Sequence, residues 1–447
     1  MKTFKWLYPG LKVKRWLALS FLGLLVALSG LVMMVTSPAV VHFAFQIRSL
    51  IFSILGLLPS LVSGSILALL GLLISLFGFQ RMMRSVVEAI LPSKDEHLVE
   101  VLYNRRYLER GPKVVAIGGG TGQSVLLRGL KGYTSNITAI VAVSDDGGSS
   151  GRLRGELGIL PPGDIRNCLV ALADTESLME EIFNYRFQQG SGLCGHSLGN
   201  LFLAGMTDIT GGFDRAIREM SRVLAVRGRV FPSTLSDVVL VAELADGTTV
   251  EGQTTIKKSG RRIRRVTLKP AGCHPQHEAL QAIMEADAVV LGPGSLYTSI
   301  LPNLVIPEIA DALRRTKAPV FYICNVMTEP GETDHYTAGD HLQAIEDHCG
   351  PGLVDCCVVN TTPLTSRWRQ KQKPPGVAPV TVDAARVARA GVHLIRARLA
   401  DDHNPVRHHP DRLARAILAE IFRRPNAAKQ LGYLHFRISE RIRKPTG

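Results

Sequence analysis

The chemistry that this sequence predicts most directly is the binding of a phosphate group by a glycine-rich loop. The segment KVVAIGGGTGQSVLLRGL (residues 113–130) runs from a short apolar stretch through several glycines into an amphipathic stretch. Glycine N–H groups at the carboxyl end of a strand, next to the positive end of a helix dipole, bind anions. We therefore expect a phosphate or diphosphate there, and a tight turn without a ligand is the alternative. The candidate contacts in this glycine loop are Gly118, Gly119, Gly120, Thr121 and Gly122.

A second segment, SDDGGSSGRLRGELGILPPGDIRNCL (residues 144–169), is rich in carboxylates, hydroxyls and guanidinium groups. Its first carboxylate comes 23 residues after Gly122, where a dinucleotide-binding fold places an acidic residue against sugar hydroxyls. Asp164 fits two roles, ligand contact or capping of a helix that begins at Ile165. The candidate contacts in this segment are Asp145, Asp146, Ser149, Ser150, Arg152, Asp164 and Asn167.

Three later segments place polar side chains beside glycines or at the ends of apolar stretches. They read CGHSLGNLFLAGM, VVLGPGSLYTSILPNL and CNVMTEPGET. The amides of Gly-Pro-Gly-Ser can form a concave anion-binding nest, whereas a structural role is the alternative for the histidine of the first segment. The candidate contacts in these segments are His196, Ser197, Asn200, Gly294, Ser295, Tyr297 and Asn325.

Short apolar strands alternate with helices over most of the chain after residue 112, which indicates a mostly parallel sheet with helices on both faces. The predicted strands are residues 114–117, 137–143, 288–291, 319–324 and 353–360. The predicted helices are residues 124–130, 165–172, 177–187, 214–224, 276–285, 340–348 and 412–422. The fold class is therefore α/β and Rossmann-like, and the candidate contacts lie where ligands collect in such folds.

Residues 228–270 interrupt this pattern with β-branched alternation, and we expect a small β-rich insert there. Asp246-Gly247 and Ser259-Gly260 are typical of hairpin turns. We divide the remainder into a helical connector (81–111), a main domain (112–425) that contains a loop at 361–379, and a basic tail (426–447).

The N-terminal region predicts a transmembrane hairpin. Residues 16–36 form an uncharged run of 21 residues, and a second uncharged run covers residues 49–80, with its spanning part at about 57–79. A helix needs about 20 apolar residues to cross the hydrocarbon core. A cleaved signal peptide is the alternative for the first run, and a buried hairpin of a soluble protein is the alternative for both.

Charge predicts the orientation of the hairpin. Five lysines and arginines precede the first run, Arg81 and Arg84 follow the second, and the connecting loop holds only His42 and Arg48. The positive-inside rule then leaves both termini and the main domain in the cytoplasm of a multi-pass membrane protein.

Composition excludes several other classes of protein. The seven cysteines are odd in number and show no C-x-x-C spacing, so neither a disulfide framework nor a zinc site is indicated. The net charge of +14 invites nucleic-acid binding, but the basic residues flank the apolar runs or cluster without interleaved aromatic residues. Anionic lipid explains the basic residues beside the apolar runs. A platform for stacking nucleic-acid bases needs interleaved aromatic residues, which the other basic clusters lack. We therefore expect no nucleic-acid partner.

Six segments together resemble one family. GGGTGQSVLLRGLK, SDDGGSSGRLR, PPGDIRNCL, GHSLGNLFLAG, LGPGSLYTSILPNL and CNVMTEPGETD occur in this order. They are similar to the YvcK family of bacterial gluconeogenesis factors, which are relatives of the CofD phospholactate transferases. The resemblance covers roughly residues 112–425 and leaves out the N-terminal hairpin.

The resemblance implies a Rossmann-like fold that binds UDP-N-acetylglucosamine, with roles in growth on gluconeogenic carbon and in cell-wall shape. It also implies a ligand contact at a late Arg-His-Asp-Pro motif. Here the motif reads Arg407-His408-His409-Pro410, so that His409 replaces the acid and Arg407 is the candidate contact. Relatives tend to carry a tyrosine in the preceding loop, where this chain offers only Trp368.

Three functions remain open at this point. The first is a regulator that binds a UDP-sugar and links carbon metabolism to cell-wall synthesis. The second is a CofD-like transferase that moves a phospholactyl-type group from a nucleotide diphosphate donor, with Asp145 or Asp146 binding Mg²⁺ or acting as base. The third, an NAD-type dehydrogenase, is disfavoured because Gln123 replaces the last glycine of G-x-G-x-x-G. The expected partners are the nucleotide sugar, the membrane, proteins of cell-wall synthesis and further copies of the chain.

Overall fold

The computed structural model describes residues 13–34, 60–90, 107–174, 177–363, 376–402, 404 and 406–424. The chain divides into two compact units, Met1–Asn104 and Arg105–Gly447. Most of the predicted connector (residues 91–106), Trp368 with the loop segment 364–375, and the predicted basic tail lie outside the described residues.

The N-terminal unit contains two long antiparallel helices, α1 (Val13–Met34) and α2 (Ser60–Ile90). Small residues form the seam between them: a Cβ on Gly78 would lie 2.7 Å from the Ser20 nitrogen, and the hydroxyls of Ser20 and Ser75 are 3.3 Å apart. Large apolar side chains face outward, as shown by Phe21, which is 60% exposed. Both helices are long and apolar enough to cross a membrane.

The second unit is built on two sheets, and its strands are β1 (Val114–Gly118), β2 (Ile137–Val141), β3 (Arg229–Pro232), β4 (Val239–Leu244), β5 (Thr249–Glu251), β6 (Ile263–Lys269), β7 (Ala288–Leu291), β8 (Val320–Ile323), β9 (Cys356–Asn360) and β10 (His393–Ala397). The larger sheet has seven strands in the order β10-β9-β8-β7-β1-β2-β3. The pairings within it are all parallel, which confirms the predicted fold class.

Helices connect these strands and cover both faces of the sheet. They are α3 (Gly120–Leu130), α4 (Gly148–Leu157), α5 (Gly163–Leu172), α6 (Ser177–Asn184), α7 (Leu198–Thr210), α8 (Phe213–Val223), α9 (Gln253–Ser259), α10 (His277–Met284), α11 (Leu301–Leu304), α12 (Pro307–Arg315), α13 (Ala338–Cys349), α14 (Ala384–Arg389) and α15 (Pro410–Arg423). A π-helical turn, Leu296–Ile300, precedes α11. Helices α3, α5 and α15 pack together, and so do α10 and α12.

The strand order reverses next to β1. From β1 the chain builds outward through β2 to β3, and after β7 it builds outward through β8 and β9 to β10 on the other side. Strands β1, β2, β7 and β8 are wholly buried, as expected for parallel strands covered on both faces. The reversal leaves a crevice between the loops that follow β1 and β7, where doubly wound folds bind ligands.

The smaller sheet is antiparallel with the order β5-β4-β6, and it forms the predicted β-rich insert. Asp246-Gly247 joins β4 to β5 as expected, but the hairpin turn predicted at Ser259-Gly260 is wrong. There Gly260, at φ +60°, ends α9 in the left-handed conformation that favours glycine. Strand β3 lies within the bounds predicted for the insert, yet it pairs with β2 in the larger sheet.

Candidate functional site

A cavity of about 410 Å³ opens at the carboxyl ends of β1, β2, β7 and β8. This cleft lies at the point where the strand order reverses, and its volume is within the range of about 300–1,000 Å³ that is usual for ligand sites. Ten of the residues predicted as contacts line it: Gly119, Gly120, Thr121, Gly122, Asp145, Asp164, Gly294, Ser295, Asn325 and Arg407.

The glycine loop is shaped by close approach of two backbones. A Cβ on Gly122 would lie 2.5 Å from the Pro293 carbonyl oxygen, so the loop after β1 packs directly against the loop after β7. Gly120 has a φ of +67°, and Gly119 is the N-cap of α3 without a side chain to cap it. The helix start therefore faces the cleft: its first N–H group, that of Gly120, donates to Asp164, and the N–H groups that follow can meet an anion. Gly118 ends β1 and does not line the cleft.

Gln123 explains why the loop departs from the dinucleotide-binding pattern. Its side chain is fully buried, and its Nε2 donates to the carbonyls of Ala116 at 2.9 Å and Ile140 at 3.1 Å. Its Oε1 accepts a hydrogen bond from the Cys168 thiol at 3.5 Å. Gln123 thus ties β1, β2 and α5 together beneath the cleft, which a glycine at this position could not do.

Asp164 is a cleft residue and does not cap its helix. Helix α5 begins at Gly163, one residue before Asp164, and its N-cap is Pro162. The alternative in which Asp164 caps this helix is therefore wrong. The Gly120 N–H donates to the Asp164 carboxylate instead, and burial together with neighbouring Asp145 raises the pKa of Asp164 to about 6. Asp145 lines the same wall, and its Oδ1 accepts a hydrogen bond from the Gly147 N–H at 3.0 Å.

Asp146 points away from the cleft and binds the insert. Its Oδ1 accepts hydrogen bonds from the Thr254 N–H at 2.8 Å and from the Thr254 hydroxyl at 2.7 Å. The carboxylate therefore holds the first turn of α9 against the loop after β2. Of the two adjacent aspartates that the sequence left open, Asp145 is the one beside the cleft.

Four other candidates form a buried cluster behind the cleft. Ser149 Oγ is 2.9 Å from His196 Nδ1 and accepts a hydrogen bond from Asn200 Nδ2 at 3.0 Å. Ser197 caps α7 by accepting from the Asn200 N–H at 3.3 Å. These contacts fit the structural alternative for His196, because they join α4 to the start of α7.

The remaining candidates also bind other protein groups outside the cleft lining. Arg152 donates to the Cys194 carbonyl at 2.8 Å, and Asn167 Oδ1 accepts from Arg166 at 2.7 Å. The hydroxyl of Tyr297 is 2.8 Å from that of Tyr336, and burial is the main reason why the pKa of Tyr297 is strongly raised. Ser150 is buried in α4.

The insert contributes two cleft residues that the sequence patterns missed, Gln253 and Lys257 of α9. Lys257 Nζ lies 3.1 Å from the carboxylate of Glu332 and 3.4 Å from Ser295 Oγ. Burial lowers the pKa of Lys257, but the carboxylates of Glu332, Glu329 and Asp145 outweigh it and leave that pKa raised. The sequence patterns missed Lys257 because it stands in the basic run KKSGRRIRR, which was considered only as a basic cluster without interleaved aromatic residues.

A second acidic group, Glu329, lies in the loop after β8 and was also missed. Ser295 Oγ donates to Glu329, and Asn325 Nδ2 donates to it at 2.9 Å. Burial and the nearby Glu332 carboxylate raise the pKa of Glu329. Ser295 and Asn325 are thus held in place by a carboxylate that lines the cleft with them.

Apolar residues also line the cleft. This apolar patch consists of Val326, Met327, Pro330, Val377 and Val406, and Val326, Met327 and Val377 pack in one cluster. Residues 376–378 are held there because the Thr328 N–H donates to the Ala378 carbonyl at 2.7 Å and the Ala378 N–H donates to the Thr328 hydroxyl at 3.0 Å. The cleft therefore offers both polar groups and apolar surface to a ligand.

The late motif follows Val406 of this apolar patch and also lines the cleft with its first two residues. Arg407 is exposed at the rim, whereas His408 is buried and its pKa is lowered to about 4 by that burial, so its ring is neutral at pH 7. His409 is the N-cap of α15, and its Nδ1 accepts from the Arg412 N–H at 3.4 Å. Histidine can thus make the capping contact at the position where the resemblance led us to expect an acid.

Several known proteins are similar to this chain in sequence. The profile of the family described as 2-phospho-L-lactate transferase CofD matches residues 114–400. A gluconeogenesis factor of Halalkalibacterium halodurans is 53% identical over 306 residues, which are 68% of this chain and 95% of that relative. A gluconeogenesis factor of Bacillus subtilis is 49% identical over 312 residues, which are 70% of this chain and 98% of that relative.

Two further similar proteins show how much of this chain is matched. A protein of Nostoc sp., provisionally called a gluconeogenesis factor, is 48% identical over 418 residues, which are 93% of this chain and 92% of that relative. A crystal structure of a Bacillus halodurans protein, described as a member of the UPF0052 family, superposes with a TM-score of 0.67 at 52% identity, over 69% of this chain and 99% of that one. The two gluconeogenesis factors and the solved structure are thus matched almost whole by about two thirds of this chain.

Proposed function

This chain belongs to the CofD family and, within it, to the gluconeogenesis factors, and on that premise we propose that it is a regulator that binds UDP-N-acetylglucosamine. In this role the chain senses a precursor of cell-wall synthesis and links carbon metabolism to the wall and to cell shape. The ligand binds in the cleft at the carboxyl ends of the parallel strands.

One observation carries the proposal: the cleft is lined both by the start of α3 and by a patch of apolar side chains. The start of α3 suits a diphosphate, because the backbone N–H groups beyond the one that Asp164 accepts from, together with the helix dipole, favour negative charge. The apolar patch, which includes Val326, Met327 and Val377, suits a planar base or the face of a sugar. A nucleotide sugar likewise combines a charged diphosphate with less polar parts.

Each cleft residue then has a role in binding. The glycine loop and Ser295 hold the diphosphate, and Asp145 accepts a hydrogen bond from a hydroxyl of the ribose or the sugar. Arg407 at the rim closes the site over the ligand. The proposal needs no metal, and among the described residues no three His, Cys, Asp or Glu side chains are grouped so as to hold one.

The second candidate function is the phospholactyl-type transferase, and the pair Asp145 and Asp164 favours it. Two carboxylates beside a diphosphate repel it unless one is protonated or a cation lies between them. In a transferase the pair would hold Mg²⁺, which would offset the charge of the leaving diphosphate. Dependence of binding on magnesium therefore separates the two functions.

We expect calorimetric titration of the full-length chain in detergent micelles to show micromolar binding of UDP-N-acetylglucosamine without magnesium. Arg407→Ala should weaken this binding by about 10- to 100-fold, because hydrogen bonds to a charged group are among the stronger ones. Arg222→Ala, which removes an exposed arginine of α8 that pairs with Glu219, should leave binding unchanged.

The same titrations with GDP and NAD test the alternatives. If the chain binds GDP only in the presence of magnesium and does not bind the UDP-sugar, the result would favour the transferase over the regulator. Equal affinity of Arg407→Ala and the original chain for the UDP-sugar would remove Arg407 from the site while leaving the ligand in place.

We also propose that the N-terminal unit spans the cell membrane and leaves the main unit in the cytoplasm. Small residues at the helix seam and large apolar residues outside are the arrangement of membrane helices, which gain nothing from burying apolar surface against each other. The Arg81 guanidinium lies 5.5 Å from the ring of Trp16 at one end of the hairpin, and aromatic and basic residues gather at membrane interfaces.

A reporter fused after Gly447 should be active only in an assay for the cytoplasm, because both ends of a hairpin lie on the same side. The chain should also stay in the membrane fraction after alkaline extraction, whereas residues 105–447 alone should be soluble. Periplasmic reporter activity, or release of the full chain by alkali, would contradict the hairpin.

A further inference from the structure

We propose that Lys257 of the β-rich insert binds the diphosphate of the ligand and that Glu332 positions it, an inference that rests on the proposed function. The insert then belongs to the binding site, because it contributes one of the site's charges. Three features support this role of Lys257: the placement of α9, the small number of cations in the cleft and the partners of the Lys257 ammonium.

Helix α9 is fastened at both ends to the loops that form the cleft. At its start, Asp146 accepts the hydrogen bonds of Thr254 described above. At its end, a Cβ on Gly331 would lie 2.5 Å from the Lys257 carbonyl oxygen, so the loop after β8 packs against the helix backbone. Ile256, between these two points, is fully buried. The helix therefore presents Lys257 at a defined place.

The cleft has few positive charges for an anionic ligand. Of the described residues that line it, Lys257 and Arg407 alone carry a guanidinium or ammonium group. Arg407 is exposed and follows Val406 of the apolar patch, and Lys257 lies beside Ser295, whose loop packs against the glycine loop. The Lys257 charge also acts on Asp164, which accepts from Gly120 of that loop. A diphosphate on the glycine loop would thus share this part of the cleft with the Lys257 ammonium.

Glu332 fixes the position of that ammonium from the side of the sheet. Its side chain has no exposed surface, whereas that of Lys257 is 41% exposed. One carboxylate oxygen accepts from both Lys257, at 3.1 Å, and the Thr298 hydroxyl, at 2.8 Å, while the other oxygen is buried without a partner. A buried carboxylate needs its counterion, so Glu332 keeps Lys257 at the cleft wall when no ligand is present.

The first test is titration of the full-length chain in detergent micelles with UDP-N-acetylglucosamine and with inorganic pyrophosphate. Lys257→Gln should weaken binding of both probes by about 10- to 100-fold, because it removes a charge-assisted contact to phosphate. Lys257→Arg should recover part of the affinity. Lys258→Gln is the matched control, since it makes the same change at the adjacent exposed residue, which does not line the cleft.

The second test separates positioning by Glu332 from a structural effect. Glu332→Gln, which is nearly isosteric, should weaken UDP-N-acetylglucosamine binding by about 3- to 10-fold in the original chain and have no further effect in Lys257→Gln. If Glu332→Gln weakens binding equally in both backgrounds, its effect does not pass through Lys257 and the positioning role is overturned. Glu332→Asp serves as the second variant if the glutamine variant does not fold.

The outcomes keep this inference apart from the proposed function. If the original chain does not bind UDP-N-acetylglucosamine but binds GDP, and Lys257→Gln binds GDP more weakly, the proposed ligand is wrong and the role of Lys257 is supported. If the chain binds the UDP-sugar and Lys257→Gln binds it as tightly, the role of Lys257 is overturned and the function stands. If it binds neither UDP-N-acetylglucosamine, nor GDP, nor pyrophosphate, both are overturned.

Discussion

Replacing Gly122 with alanine is expected to lower the affinity for UDP-N-acetylglucosamine by about 100-fold and the free energy of unfolding by about 1–3 kcal/mol. The added methyl group would lie 2.5 Å from the Pro293 carbonyl oxygen and 3.0 Å from the Gly294 Cα. Both are backbone atoms, which cannot swing aside as a flexible side chain can. The loops after β1 and β7 must therefore separate, and the surface that we propose to bind the diphosphate is built from those two loops.

The matched control for Gly122→Ala is Gly155→Ala. Gly155 lies exposed in α4, and a Cβ there would have no atom within 4 Å. In a helix the exchange should stabilise the chain by about 0.5–1 kcal/mol and leave ligand affinity unchanged. Calorimetric titration and urea unfolding of both variants measure the two effects. If Gly122→Ala behaves like Gly155→Ala, the close packing of the loops is not needed for the site.

This packing shows what could be predicted from the sequence and what could not. The glycine loop was identified because glycines after an apolar stretch indicate a turn with exposed N–H groups. Gly122 was expected to approach an anion, but in the structure it approaches the backbone of Pro293. A local sequence pattern indicates that position 122 must hold a small residue. The backbone that requires this belongs to Pro293, which stands 171 positions further along the chain.

The polar candidates divide into residues that line the cleft and residues that bind one another. Asp145, Asp164 and Ser295 line the cleft because each follows closely on the carboxyl end of a buried strand or opens the next helix. Ser149, His196 and Asn200 have equally suggestive neighbours in sequence, yet their side chains bind one another. Composition alone could not separate a buried polar cluster from a pocket, because both require groups that form hydrogen bonds.

Lys257 was missed for a different reason. The β-rich insert was predicted, but its short helix was not, since Gly252 and Gly260 bracket only seven residues and the segment contains two threonines. The helix is held by Asp146, which stands 108 positions earlier in the chain. Contacts of that separation leave no periodic signal, so the residue that we propose as the main counterion of the ligand looked like part of a basic surface.

The pH dependence of stability should change when Asp164 is replaced by asparagine. Burial and neighbouring Asp145 raise the pKa of Asp164 to about 6 in the folded chain, from 3.8. An acid with a raised pKa stabilises the fold when it is protonated, and this stabilisation is lost as the pH rises from about 4 through about 6. Asparagine is always neutral and can still accept the Gly120 hydrogen bond. Asp164→Asn should therefore be more stable than the original chain at pH 8, by about 1–3 kcal/mol, and equally stable at pH 4.

Urea unfolding of residues 105–447 at pH 4, 6 and 8 measures this difference. Asp311→Asn, which removes an exposed carboxylate paired with Arg314, controls for the general loss of one charge, and it should change stability by less than about 1 kcal/mol. A constant difference between Asp164→Asn and the original chain across these pH values would show that Asp164 does not titrate in the expected range.

The same variant also decides between the two functions. At pH 8 the Asp164 carboxylate stands beside the glycine loop, where it opposes an anionic ligand unless a cation intervenes. If the site binds a UDP-sugar without metal, Asp164→Asn should bind it at least as tightly as the original chain, because a repulsive charge has been removed. If Asp145 and Asp164 hold Mg²⁺ for group transfer, the variant should lose its magnesium-dependent binding of GDP. One substitution thus moves affinity in opposite directions under the two functions, because the carboxylate is an obstacle in the first and a ligand in the second.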